Sequence, residues 1–584
     1  MHDLVIRGGT VIDGTGDAAR EADVAIDGGR ITEVGRVAAR GREEIDARGL
    51  AVTPGFVDVH THYDGQATWD PQLAPSCWHG VTTAVLGNCG VGFAPAKPDR
   101  HDWLIGLMEG VEDIPGSALA DGIRWSWETF PEYLDALATM PRTMDVGVHV
   151  PHGALRAYVM GERGARNEPA TADDVAAMAR LVRDAMDAGA FGFSTSRTMG
   201  HRAIDGEPVP GTFAREDELL GIGRALGDAG HGVFEVAEAG VGGNAGGDTS
   251  GSAVRELGWM TTLARAIRRP VTFLVLQNDA APDEWRELLR LADEAAGQGV
   301  ELVPQIAARP FGILLGHQSR VNPFSVRPSY AELAKLPLAE RARRLRDPDV
   351  KQRLLAERPP KGTTGIAMLV GPSAYPRIFP LGDPPDYEPS RDASIAAIAA
   401  RDGRDAEDVL YDRMLEDDAR ALLLLPLLNY SQLDGEPIRE MLLHPRTVLG
   451  LGDGGAHCGV ICDASMTTYM LAHWVRDRKR GARIPLEVAV RQLTLDPAAL
   501  YGFTDRGVLR PGMKGDVNVI DLDRVALRPP EMAYDLPAGA PRLLQRARGY
   551  AATIVAGEVT FREGEATGAL PGRLVRSRPG SARS

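Results

Sequence analysis

Pro54-Gly55-Phe56-Val57-Asp58-Val59-His60-Thr61-His62 is an apolar, extended run that ends in two histidines one residue apart. Alternate residues of a strand point the same way, so His60 and His62 project together into whatever the strand lines. At the carboxyl end of a first barrel strand, two such imidazoles are placed to chelate a divalent metal. The plain alternative is a pair of turn histidines with no ligand.

The chain around this run supports the barrel setting. From about Val52 to Pro304 strand, loop and helix alternate, with strands expected at Gly55–Val59, Thr82–Leu86, Asp145–Val150, Gly189–Ser194, Gly232–Ala237, Val271–Leu276 and Val300–Pro304. Amphipathic helices are expected between them, such as 172–188 with Thr171 as N-cap, and 283–296. So many β/α units favour a closed parallel barrel over an open sheet. The rhythm breaks between about Ala307 and Leu443, with helices expected at 339–346, 393–401 and 406–415, and it resumes in a last strand at Thr447–Leu451. At the two chain ends the texture is different again. Leu4–Gly9, Val24–Gly29, Ile31–Gly35, Asp516–Asp521 and Ala552–Glu558 read as short strands with glycine turns. Two distant β pieces flanking an α/β middle form one small β-sandwich if the ends meet beside the barrel.

The expected organisation assigns 1–53 and 506–567 to the β-sandwich, 54–306 and 444–505 to the barrel, 307–443 to a helical insertion or lid, and 568–584 to a C-terminal tail.

Composition narrows the function classes. The chain has 584 residues, 44% hydrophobic and 25% charged, which is ordinary for a soluble globular protein. A formal net charge of −15 argues against a nucleic-acid surface, which usually carries a basic footprint. No apolar run is long enough to span a membrane, and Met1-His2-Asp3 leads straight into a strand rather than a signal peptide. The four cysteines, Cys77, Cys89, Cys458 and Cys462, are too few and too unevenly placed for a disulfide framework. A cytoplasmic enzyme with reduced thiols fits them, one of the thiols serving as a metal ligand.

Taken with Asp3-Leu4-Val5-Ile6-Arg7-Gly8-Gly9-Thr10-Val11-Ile12-Asp13-Gly14, Gly87-Asn88-Cys89-Gly90, Gly189–Ser196, Gly452-Asp453-Gly454 and Pro511–Asp516, the histidine strand resembles the amidohydrolase superfamily, in particular its N-acyl-D-amino-acid deacylase (D-aminoacylase) branch. The resemblance covers nearly the whole chain. It implies a (β/α)₈ TIM-type barrel with a side β-sandwich built from both chain ends. It also implies that Cys89 is a zinc ligand, and that Asp453 binds or faces the metal and shuttles a proton from water to the leaving nitrogen. The branch has a similar His-Gly segment at the end of strand three, where His152-Gly153 stands here. A homo-oligomer is an expectation at the level of the family.

Two departures stand out. The family contributes one histidine from each of strands five and six; strand five here reads Val233-Phe234-Glu235-Val236-Ala237-Glu238 and strand six Val271–Asp279, with no histidine in either. No lysine lies between Lys97 and Lys335 to bridge two metals. His60, His62, Cys89 and Asp453 together suit one Zn²⁺ rather than two, and Glu235 or Glu238 is a substitute for a missing ligand. Where the branch commonly places a basic residue after strand six to meet a substrate carboxylate, Gln277 stands. A neutral amide, a cyclic amide or a hydrophobic N-acyl compound is therefore as natural a substrate as a free N-acyl amino acid.

The remaining candidates for substrate contact are His152, Arg197, His201, Glu235, Gln277 and His457, with Arg309 after strand seven as a further cation. The reading is a metal-dependent hydrolase of an amide-type C–N bond in a small molecule. The alternatives are a cyclic-amide hydrolase or deaminase with the same ligands, and a degenerate member that binds a ligand without turning it over.

Overall fold

A computed structural model describes residues 1–242, 251–360 and 369–578. Eight parallel strands form one sheet in the order of the chain: Phe56–Asp58, Val81–Leu86, Asp145–Pro151, Gly192–Ser196, Val233–Ala237, Val271–Leu274, Leu302–Ile306 and Val448–Leu449. The first and last strands meet just beyond their carboxyl ends, where Thr61 bridges Gly454 in parallel. There the Asp453 amide donates to the His60 carbonyl at 3.0 Å and the His62 amide to the Gly454 carbonyl at 2.8 Å. The barrel therefore closes at the histidine strand itself.

Helices cover the outside for the reasons the sequence suggests. Ala172–Ala188 starts at Thr171, which forms a capping box with Asp174, and ends at Gly189 in the left-handed conformation. Its buried residues Met178, Val182, Ala185 and Met186 recur at helical spacing. Strand seven is the clearest shift from expectation. It spans Leu302–Ile306 rather than 300–304, because Gly299, at φ +73°, still belongs to the preceding turn.

Both chain ends build a second, nine-stranded mixed sheet. Val517–Ile520 pairs antiparallel with Ala51–Pro54, placing Val519 opposite Val52, so the C-terminal strands add directly to the N-terminal ones. Leu4, Ile6, Val24, Ile26, Val517 and Ile554 fill its core.

The stretch before the last barrel strand is more than helical. It carries Phe311–Leu315, Phe379–Pro380 and Leu423–Leu428 as a three-stranded antiparallel sheet, together with helices such as Leu338–Leu345, Ile395–Asp402 and Ala406–Met414. Near the C-terminus, Arg573 and Val575 bond to both backbone groups of Val146, and Ser577 bonds to Gly189, so residues 573–577 lie against the barrel. Ser577 Oγ also meets His231 Nδ1 at 2.8 Å. His231 thus stands at the amino end of strand five, away from the carboxyl-end loops.

Candidate metal centre

His60 and His62 follow the first barrel strand and converge as the alternation requires. Their rings lie 5.3 Å apart, and both are buried. The third member comes from the turn after strand two. Cys89 sits in the left-handed region (φ 55°), unusual for a non-glycine residue. Neighbours fix that turn from several sides: the Cys89 amide donates to Glu235 Oε2 at 3.0 Å, the Gly90 amide to Ser194 Oγ at 3.0 Å, and the Gly87 amide to Asp64 Oδ2 at 3.1 Å. The result places Cys89 Sγ 3.2 Å from His60 Nε2. Donor atoms of His60, His62 and Cys89 all lie within 4.8 Å of one another.

Asp453 reaches the same place from the loop after strand eight. Its Oδ1 is 3.5 Å from His60 Nε2 and 3.7 Å from His62 Nε2. Bonds of about 2.0–2.3 Å at tetrahedral angles would set neighbouring ligand atoms about 3.3–3.7 Å apart, so these spacings suit a zinc-sized ion. Gly452 is required by packing: a Cβ there would lie 2.0 Å from Asp58 Oδ2. Asp58 in turn accepts the His60 amide at 3.1 Å.

Burial sets the charge states at the centre. Burial pushes the carboxyls of Asp58 and Asp64 up to about 7 and that of Glu235 up to about 8. Burial, then the nearby Glu235 and Glu112, push the Cys89 thiol well above its ordinary range. Burial lowers the His60 imidazole to about 4, leaving it neutral and able to ligate. For His62 burial acts downward too, but Glu112 and Asp453 raise it to about 9. For Asp453 burial acts upward, yet His62, His60 and His457 hold the carboxyl well below the carboxylate range. His62 Nδ1, Glu112 Oε1, Glu235 Oε1 and Asp58 Oδ2 are buried without a hydrogen-bond partner. Soft sulfur, imidazole and carboxylate donors, with buried polar atoms left unpartnered around them, fit a divalent metal.

The other expected site residues divide into two groups. His457 and His201 face the centre. His457 Nε2 is 3.9 Å from Asp453 Oδ2, and its side chain is 27% exposed, against 10% for Asp453. His201 bonds Ser196 Oγ at 3.0 Å, and burial together with the charges of His62 and His457 lowers its pKa to about 3. Glu235 holds the Cys89 turn, as described.

His152, Arg197 and Gln277 each have protein partners of their own. His152 begins the helix His152–Met160, and its two ring nitrogens meet Thr195 Oγ1 at 2.9 Å and Glu218 Oε1 at 3.0 Å. Arg197 pairs with Glu256 at 2.8 Å and donates to the Ala214 carbonyl at 2.6 Å. Gln277 ties the end of strand six to the insertion: its amide N–H donates to Asn429, its side chain donates to the Pro282 carbonyl, and its Oε1 accepts from the Ser431 amide. Arg309 is fully buried, 2.8 Å from Asp463 Oδ1 and 4.0 Å over the Tyr387 ring.

Two residues at the centre are absent from the sequence reading. Gln305 Oε1 lies 3.0 Å from His60 Nδ1. Its signal was available, a lone amide inside the strand Leu302-Val303-Pro304-Gln305-Ile306. Glu112 Oε1 lies 3.4 Å from His62 Nδ1, and nothing local to its helix, His101–Glu112, announces it.

Comparison with known proteins agrees with this geometry. Residues 43–561 match the amidohydrolase family. An N-acyl-D-aspartate deacylase of Alcaligenes xylosoxydans xylosoxydans is 27% identical over 581 residues, covering 98% of this chain and 95% of the relative. A D-aminoacylase structure, whose binuclear metal centre shows one-metal activation and second-metal attenuation, superposes with a TM-score of 0.64 at 25% identity, covering 99% of this chain and all of that one. An N-acyl-D-glutamate deacylase from Bordetella bronchiseptica, complexed with zinc and a phosphonate mimic of the tetrahedral intermediate, superposes at 0.62 with 25% identity, covering 99% of this chain and all of that one. The chain belongs to the amidohydrolase family, in its D-aminoacylase-like branch of metal-dependent hydrolases that act on amide-type C–N bonds.

Proposed function

We propose that His60, His62 and Cys89 hold one zinc ion with Asp453 facing it, and that the centre hydrolyses a small N-acyl amine or N-acyl amino acid. The observation that carries this reading is the convergence of Asp453 Oδ1 on His60 Nε2 and His62 Nε2, at 3.5 and 3.7 Å. Zinc held there supplies a Lewis acid for the amide carbonyl and acidifies water.

The chain's own residues do the rest. The Asp453 carboxylate, kept ionised by its histidine neighbours, accepts the proton of the attacking water. It returns that proton to the nitrogen as the C–N bond breaks, so one C–O bond forms, the acyl group leaves as a carboxylic acid and the amine departs neutral. His457 stands beside Asp453 Oδ2 on the more exposed side, which makes that side the substrate's approach. The zinc-bound deacylase from Bordetella bronchiseptica supports zinc as the ion, and the one-metal activation of the D-aminoacylase supports a single ion. Four unpaired, buried cysteines support a reducing, cytoplasmic setting.

Metal analysis of the purified protein tests the reading. Wild type is expected to carry about one zinc per chain, lost in His60→Ala and in Cys89→Ala. Asp453→Asn is expected to keep most of the metal and lose on the order of 10²–10⁴ in kcat against a panel of linear N-acyl compounds and cyclic amides. Wild type free of metal, with no turnover on adding zinc, overturns it.

A further inference from the structure

Glu112 occupies an unfavourable position. It ends the helix His101–Glu112, where the helix dipole opposes a negative side chain, and only 2% of it is exposed. Its Oε1 has no hydrogen-bond partner, and neither does the facing His62 Nδ1, 3.4 Å away. Its Oε2 points to His457 Nε2 at 4.0 Å. The backbone holds the residue there. The Glu112 carbonyl accepts the His457 amide, Asp113 turns the chain out of the helix at φ 53°, and Asp113 Oδ2 accepts the Gly459 amide at 3.0 Å. Burial and dipole together disfavour the ionised form of such a group unless positive charge lies nearby.

His60 supplies the comparison within the same centre. Its Nε2 faces Cys89 and Asp453, and its Nδ1 faces the neutral amide oxygen of Gln305 at 3.0 Å. His62 has the same orientation, Nε2 toward Asp453 and Nδ1 away from it, but there the outer acceptor is a carboxylate.

We propose that Glu112 is a positioning residue for the metal centre: its carboxylate accepts the Nδ1 proton of His62, fixes Nε2 as the ligating nitrogen, and lends negative charge through the imidazole to the ion. This rests on the zinc reading above. An outer carboxylate raises the basicity of its histidine and orients the ring, and removing such a partner typically costs about 10–100-fold in metal affinity. Glu112 thereby reaches the centre from the helix His101–Glu112 rather than from a barrel strand.

The test is zinc affinity, measured by competition with a chromophoric chelator on the full chain, for wild type, Glu112→Gln, Glu112→Asp and Glu112→Ala, with the exposed Asp102→Asn as control. Glu112→Ala is expected to bind zinc about 10–100-fold more weakly, Glu112→Gln to fall between it and wild type, and Glu112→Asp to recover part of the loss. Cobalt-substituted protein should show a changed ligand-field spectrum in the alanine variant and an unchanged one in Asp102→Asn. If the alanine variant does not fold, the isosteric Glu112→Gln decides, because a purely structural role would lower its metal-free Tm without changing its zinc Kd. Wild-type zinc affinity in both Gln and Ala variants overturns the role of Glu112 alone. Wild type that binds no zinc overturns the metal reading and this proposal with it.

Discussion

Gly452→Ala isolates how much the centre depends on the fit between the first and last barrel strands. The new Cβ would lie 2.0 Å from Asp58 Oδ2 and 2.9 Å from its Cγ. An ordinary contact begins at 3.4 Å, so the shortfall is 3.4 − 2.0 = 1.4 Å. Gly452 does not have a positive φ, so the backbone tolerates alanine and the effect is steric alone. Neither partner can yield without cost to the site. Asp58 accepts the His60 amide, and residue 452 precedes Asp453. A misplacement of about 1 Å at a reacting centre costs on the order of 10²-fold, so kcat/KM should fall by about that factor, equivalent to about 2.7 kcal/mol. Overpacking of this kind should also lower stability by about 1–3 kcal/mol. The assays are kcat/KM on an N-acyl substrate that wild type turns over, zinc content, and thermal unfolding. Gly258→Ala, in the helix Ser252–Ile267 with nothing within 4 Å of its Cβ, is the matched control and should be neutral or slightly stabilising. Full activity and full zinc content in Gly452→Ala would refute the argument that this contact sets the geometry of His60 and Asp453.

Two further outcomes separate structural from functional roles. Burial acts to raise the Glu218 carboxyl, but His152 and Arg156 hold it down at about 2, below its ordinary 4.5. The stabilisation from this group is therefore complete above pH 4.5 and is lost as the pH falls toward 2. Glu218→Gln should flatten acid unfolding in that window and cost about 3–5 kcal/mol near neutral pH by leaving the buried Arg156 unpaired, as read by urea unfolding across pH. Gln277→Ala should leave KM within about two-fold of wild type while lowering stability by about 1–3 kcal/mol, because its side chain is bonded to the Pro282 carbonyl of its own loop and to Ser431 and Gln432 of the insertion. A large rise in KM with unchanged Tm would restore Gln277 as a substrate contact.

How legible the chain is depends on the range of the interaction. His60 and His62 follow from the two-residue period of a strand, and the turn carrying Cys89 and the glycines around Asp453 are local backbone requirements; all are written in short stretches. The capped helix at Ala172–Ala188 is local in the same sense. Glu112 is not, since its role exists only because a helix end docks on the loop at His457–Gly459, more than three hundred residues along the chain. His152, Arg197 and Gln277 read as substrate contacts from their places after strands. Their side chains also meet Glu218, Glu256 and the insertion, which a strand count does not contain. The sheet of the insertion is not legible in the sequence for a further reason. Leu423–Leu428 is apolar along its whole length, so it lacks the alternation that marks a half-buried strand.

The two missing histidines take on a physical meaning once the seam is considered. On strand five Glu235 supports the amide of Cys89, and just beyond strand six Gln277 anchors the insertion, so neither offers an imidazole to the barrel axis. The converging groups come instead from strands one and two and the loop after strand eight, which is where the barrel closes through His62–Gly454 and Asp453–His60 backbone bonds. A cation gathered by His60, His62, Cys89 and Asp453 would cross-link both sides of that seam. Its binding free energy would then be available to hold the barrel shut, adding RT ln(1 + [M]/Kd) to stability, about 4 kcal/mol when free metal is a thousand times Kd. Asp453, at φ 44°, lies at the closure itself and Cys89, at φ 55°, follows the neighbouring strand two; an ion held between them would oppose the strain of holding both.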